Sequence, residues 1–443
     1  MLRFFTLLAF STVFSGGLLF AQQKDDLRNQ YDEIRKELAL LRTQFDSLRA
    51  FSQPGGGISD DGADALSERF EKRIRELENK IDAVSRSTTP IVFNPRTTIF
   101  VNVAARADNN AVFNAAEDAK IDNRPFMRTV ELDFRGPVDP YAEAVLIMAL
   151  EDEAGTGFAV DPEEAYGLIK RLPILETAPL GMKLKIGKFR APLGVNNKLH
   201  MHDLPWTTRP LVISHYLGTE HGEFFESGFN PTGLDFDFFL PKVIPGATAE
   251  MNLDLLRAGE LALSQGAENK QPAFLGHVNL SWDWNNEHLV FLGGSGYFER
   301  GDSPTSLVGF DLTYKWAPSE RRESRSFVAG GEVFLGKRTS VDTTGSEVIA
   351  KPYGWFTYSQ YQLSYWLYIG ARYDWLQEPT DETLTTKSLS VYASYYTTEF
   401  LRFRLGFERR QSDIPTHNNL NTIHFEVNFV FGSHPTEPYW VNR

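Results

Sequence analysis

The sequence contains no cysteine. That absence excludes a disulfide framework, a thiolate metal site and a cysteine nucleophile. Methionine is scarce, at 6 residues. Positive charge is in deficit: 45 Lys+Arg stand against 58 Asp+Glu, a formal net charge of -13. Such a balance argues against nucleic acid as a partner. Beyond the N-terminus no stretch approaches about 18 consecutive apolar residues, so no transmembrane helix is expected there. Catalytic signatures are also missing. There is no Gly-x-Ser-x-Gly elbow and no phosphate-binding loop, and no serine is marked as a partner for His277 or His424. An enzyme is therefore not expected. What is plentiful is aromatic: 34 Phe, 16 Tyr and 8 Trp make up 13% of 443 residues.

Residues 1–21 read as a secretory signal. Arg3 supplies the charge, an apolar run follows from Phe4 to Phe20, and Ala21 precedes Gln22-Gln23-Lys24. Residues 22–86 read as a short coiled coil. Leu27, Tyr31, Ile34, Leu38, Leu41, Phe45 and Leu48 alternate spacings of four and three, and Phe70, Ile74, Leu77, Ile81 and Val84 form a second seam beyond Pro54-Gly55-Gly56-Gly57. A single amphipathic helix packed on another domain is the competing reading. Residues 87–95, with two prolines and several Ser/Thr, read as a linker.

From Arg96 the period changes to two. Ile423, Phe425, Val427, Phe429 and Phe431 alternate with His424, Glu426, Asn428 and Val430. Leu401, Phe403, Leu405 and Phe407 alternate with Arg402, Arg404, Gly406 and Glu408. This is the pattern of strands with one apolar and one polar face. Many of the segments run about ten to thirteen residues, whereas soluble strands peak at about five or six. Long dyad strands match tilted transmembrane strands.

Tight turns at Gly136–Pro140, Asn285-Asn286 and Thr397-Thr398 alternate roughly with longer polar stretches near 108–126, 151–179, 258–272 and 411–420. Fifteen strands can be read directly, and an even count requires one more inside 190–230, with Pro210 to Leu217 the best candidate. The expectation is an all-β transmembrane antiparallel barrel of about 16 strands over 96–432, preceded by the helical coil and followed by a tail at 433–443. Both chain ends would then share the periplasmic side. The aromatic cluster of Trp355, Tyr358, Tyr361, Tyr365, Tyr368, Tyr373 and Trp375 would supply an interfacial girdle. An aromatic-rich sandwich or propeller core is the alternative.

These features resemble the phosphate-selective porin O and P family of Gram-negative outer membranes. The likeness is carried by the whole architecture, by Leu184-Lys185-Ile186-Gly187-Lys188-Phe189-Arg190-Ala191-Pro192-Leu193-Gly194, by Glu226-Ser227-Gly228 to Leu240, and by the aromatic-terminated last strand ending at Phe431. The resemblance implies a homotrimer in outer-membrane lipid that passes small hydrophilic solutes or ions, with no cofactor. It also implies anion preference, phosphate included. The inward positions are mixed, however. Arg106, Arg135, Lys183, Lys185, Arg372, Arg402 and Arg404 share the lumen face with Glu131, Asp133, Asp235, Asp237, Glu250, Asp254, Asp283, Glu332 and Asp374. A structural anchor that uses the coil as a periplasmic tether is the second reading of function.

Residues 190–230 are expected to fold into the lumen as a constriction. Lys183, Lys185, Arg190, Lys198, Arg209, Arg372, Arg402 and Arg404 are the expected pore-lining cations. His200, His202, Asp203, His215 and His221 form a candidate divalent-metal set, weighed against a plain polar lining of the lumen.

Overall fold

The computed structural model describes residues 95–432, apart from 114–119, 122, 153–157, 172–177, 219–227, 241–243, 265–270, 302, 322–323, 342–345 and 415–418. The expected signal, coiled coil and C-terminal tail lie outside the described residues, as does nearly all of the linker.

Sixteen strand positions form a closed antiparallel ring. They are β1 (Arg96–Asp108), β2 (Pro125–Pro137), β3 (Ala142–Asp152), β4 (Phe158–Ile169), β5 (Lys183–Lys188), β6 (Thr232–Leu240), β7 (Ala247–Leu256) and β8 (Ala273–Trp284). Then follow β9 (His288–Glu299), β10 (Thr305–Trp316), β11 (Phe327–Val341), β12 (Tyr353–Gln362, led in by Glu347–Ala350), β13 (Leu367–Gln377), β14 (Thr385–Thr398), β15 (Leu401–Ser412) and β16 (Leu420–Gly432). Each strand pairs with its sequence neighbours, and β1 closes the ring by pairing Thr98 with Gly432 of β16. An even antiparallel count places the start of β1 and the end of β16 on one rim.

The period of two decides which face sees what. On β10, Val308, Phe310 and Leu312 are exposed, while Leu307, Asp311 and Thr313 are buried. On β16, Ile423 and Phe425 are exposed, while Thr422, His424 and Glu426 are buried. Together with Leu405, Phe407, Leu389 and Val391, the outward residues make an apolar belt. A protein surrounded by water rarely shows so large a contiguous apolar surface, whereas a membrane barrel requires one. Trp284, Tyr365, Trp366 and Phe400 are exposed beside the tight turns of the rim where β1 starts and β16 ends, as an interfacial girdle demands. Tyr358 and Tyr368 depart from the expected girdle. Their parity turns them inward, where each is 3% exposed.

The sixteenth strand is not where the sequence suggests. It is β4, inside the stretch read as a loop over 151–179, and Pro210 to Leu217 instead carries helix α1 (Leu211–Tyr216). Pro162 and the acids around it hide β4 by breaking the alternation. The sheet accommodates them through a bulge, in which Ile147 faces Glu164 and Met148 faces Pro162, leaving Glu163 as the extra residue. Glu163 and Glu164 consequently both turn inward and are buried. A second bulge, between Asn102 and Val103 of β1, turns Arg128 inward beside Thr129.

Between β5 and β6, residues 189–218 and 228–231 fold into the barrel. Phe189, Leu193, Met201, Leu204, Trp206, Val212, Ile213 and Tyr216 are fully buried there and pack against inward Tyr297, Phe334, Phe356 and Tyr358 of the wall. Helix α1 begins after Pro210, and the wall carboxylate Asp374 Oδ1 accepts the Leu211 N–H at 3.0 Å. A barrel residue thus satisfies the helix start, which overrides the β-branched sequence. Gly354 makes the close approach possible. A Cβ there would lie 2.7 Å from Leu376 Cβ and 2.9 Å from Val212 Cγ2. Gly354→Ala is expected to destabilise the barrel by about 1–3 kcal/mol, read as a lower urea midpoint in lipid vesicles. An unchanged midpoint would mean that α1 does not press on this wall.

Candidate functional site

The inserted segment is held by arginines of the wall. Arg402 Nη1 donates to His202 O at 2.9 Å, Arg404 Nη2 to Leu204 O at 2.7 Å, and Arg128 Nη1 to Thr207 O at 2.7 Å. Arg372 donates to the Thr208 carbonyl and, at 3.0 Å, to Thr208 Oγ1. Its guanidinium also lies over the Trp206 ring, 5.2 Å from the centroid. All four side chains are about 1% exposed or less. Their charges are met by Glu426, which lies 2.7 Å from Arg402, 3.3 Å from Arg404 and 3.6 Å from Arg128, and by Asp374, 2.7 Å from Arg372. On β11 Glu332 Oε1 accepts the N–H groups of Val195 and Asn196 at 3.0 and 2.7 Å. Gly194, at φ +73, passes close to Glu332. The segment is therefore fastened to β2, β11, β13 and β15 by charge-assisted bonds, each stronger than a neutral one.

The expected pore-lining cations divide into two groups. Arg372, Arg402 and Arg404 are buried and bonded to the segment backbone. Arg209 is buried within the segment and donates to Asn196 O at 3.1 Å and Leu199 O at 2.8 Å. Arg190, 3% exposed, reaches Glu163 at 3.4 Å. Lys183, Lys185 and Lys198 instead face open lumen. Lys183 and Lys185 are 47% and 30% exposed, opposite Asp237 at 3.9 Å and Asp235 at 3.3 Å. Lys198 is exposed although the segment residues around it are buried.

Of the expected metal set, the fold brings His200 and His202 together, with rings stacked at 5.6 Å. His202 also stacks on Phe100 at 3.7 Å. Asp203 lines the same cavity of about 200 Å³, with Glu131, Glu164, Arg190 and Lys198. His215 is elsewhere, 3.3 Å from Glu378, and His221 lies outside the described residues. Both ring nitrogens of His200 meet carboxylates: Nε2 stands 2.8 Å from Glu164 Oε1 and Nδ1 2.8 Å from Glu163 Oε2. Burial and Arg190 push the His200 pKa down, but Glu163 and Glu164 outweigh them and hold it well above the ordinary histidine value. His202 is likewise raised, its burial outweighed by Glu131 and Asp203.

Arg128, Glu163 and Glu164 were invisible to strict parity, because a bulge aims each pair of neighbours inward. Glu426 belonged to a recognisable polar face, but its role depends on arginines brought in by other strands.

No family model matches the sequence. An uncharacterized protein of Aquifex aeolicus is 24% identical over 347 residues, covering 70% of this chain and 69% of that protein. Among solved structures, an anion-selective porin from Comamonas acidovorans aligns with a TM-score of 0.49 at 10% identity, over 76% of this chain and 99% of that one. The outer membrane channel DcaP of Acinetobacter baumannii aligns with a TM-score of 0.49 at 10% identity, over 76% and 97%.

Proposed function

We propose that the chain is a passive pore of a Gram-negative-type outer membrane, through which small hydrophilic solutes or ions diffuse. The observation that carries this reading is the closed ring itself, with an apolar outer belt, a charged interior, and a segment folded inside that narrows the passage. An aqueous path needs charged groups that bind a solute weakly and release it. Lys183, Lys185 and Lys198, with Asp237 paired to Lys183, supply such groups, since water reaches each of them. The buried arginines, occupied by the segment, do not add to anion attraction. Selectivity for phosphate therefore does not follow from the arginine count, and Lys198 is the residue that sets the charge balance at the narrows. A homotrimer, as the resemblance implies, belongs to the same proposal.

Purified protein in planar bilayers should show discrete conductance steps, and a barrel that never conducts would end the reading. Lys198→Glu is expected to move the zero-current potential in a salt gradient toward cation preference. An unmoved potential would take Lys198 out of the conduction path.

A further inference from the structure

We propose that Glu131, Glu163 and His200 bind one divalent transition-metal ion of the zinc class, which pins the inserted segment to β2 and β4. One ligand atom from each of the three residues lies within 4.8 Å of the others. A single ion with ligand distances of about 2.0–2.2 Å closes that triangle with small side-chain rotations. The donors are one imidazole nitrogen and two carboxylates, a set suited to zinc with a further position left for water.

Three further observations point to a cation. Glu131 Oε2 is buried, stands 3.5 Å from His200 Nδ1, and has no hydrogen-bond partner among the described residues. A bare buried carboxylate oxygen is costly unless something positive meets it. The supporting shell is also in place. His200 Nε2–H donates to Glu164 Oε1 at 2.8 Å, so Nδ1 is the nitrogen turned to Glu131 and Glu163, and an ion bound there would take the place of its proton. A carboxylate that fixes the tautomer of a ligating histidine is the usual companion of such a ligand. His202 Nδ1, 3.0 Å from Glu131 Oε1, holds the second oxygen of that carboxylate. Finally, the cavity beside Glu131 and His200 supplies room for a water ligand and a route in.

The β4 bulge is what makes the site. Without the extra residue, Glu163 and Glu164 would face opposite sides of the sheet, and His200 would lose either its ligating neighbour or its supporting one. Among the earlier metal candidates, only His200 is then a ligand. His202 positions Glu131, and Asp203 lines the approach.

The test uses the full chain purified in detergent, stripped with a chelator and dialysed against Zn²⁺. One zinc per chain is expected, with affinity falling at least about tenfold in Glu131→Gln and His200→Gln and unchanged in His215→Ala. Zinc K-edge absorption of the wild type should show a mixed oxygen and imidazole shell. That spectrum keeps the test decisive if either variant fails to assemble. Absence of saturable zinc binding, binding equal in both site variants and wild type, or an imidazole-free shell would each overturn the proposal. In the first two cases His200 holds the carboxylates as a protonated imidazole instead.

Discussion

Replacing residues 192–228 with a short Gly/Ser turn should raise single-channel conductance several-fold. The barrel wall is able to tolerate the cut. Lys188 and Thr232 are paired residues at the ends of β5 and β6, and the ladder continues from Phe189 N to Pro231 O at 3.2 Å and Ala191 N to Phe229 O at 3.0 Å. A turn can thus join two chains that already lie side by side. Within the deletion Leu204, Trp206, Val212 and Ile213 are fully buried in the interior, so removing them replaces packed side chains with water. Arg128, Arg372, Arg402 and Arg404 lose their carbonyl acceptors, but water enters and solvates them. The same deletion should therefore move selectivity toward anions, because four guanidiniums then line an open lumen. Conductance and zero-current potential in planar bilayers measure both effects. A folded deletion variant with wild-type conductance would show that the segment does not limit the passage.

Glu426→Ala should cost about 3–5 kcal/mol of barrel stability, because it leaves buried arginines without their shared counter-charge. Glu426 is fully buried and reaches Arg402, Arg404 and Arg128. The contrast is Arg257 with Glu260, a pair 3.4 Å apart in which Arg257 is 75% exposed. Arg257→Ala should cost less than about 1 kcal/mol, since water screens such a pair. Urea unfolding in lipid vesicles compares the two. Adding Arg402→Met to the Glu426 variant should recover part of the loss by removing one of the stranded charges. Equal midpoints for Glu426→Ala and wild type would mean that the arginines reach water without the segment moving.

The sequence carried the barrel because its signal is local. Alternation along a strand needs no knowledge of the partner strand, so β10, β15 and β16 were legible from their own residues, whereas the sixteenth strand was required only by the even count of such barrels. Their inward charges were legible too: Glu131, Asp254, Glu332, Arg372 and Arg402 lie on the lumen face that parity assigned. Parity failed where the backbone inserts a residue. Pro162 marked β4 as a loop, yet a bulge absorbs it and produces the paired glutamates beside His200. The inserted segment was recognisable as irregular and polar, but the helix at Leu211–Tyr216 was not, because its first N–H is satisfied by Asp374 from a distant strand.

By itself, then, the sequence determined an antiparallel barrel, fifteen of its strands with most of their lipid and lumen faces, and the interruption between β5 and β6. A two-residue period and a long interruption are written in neighbouring residues. Only the tertiary structure decided what the charges do. Arg402 meets His202 and Arg404 meets Leu204 across 200 positions of chain. Nothing local distinguishes an arginine that will hold a carbonyl from a lysine that will face water. That division follows from which inward side chains the folded segment covers and which it leaves open.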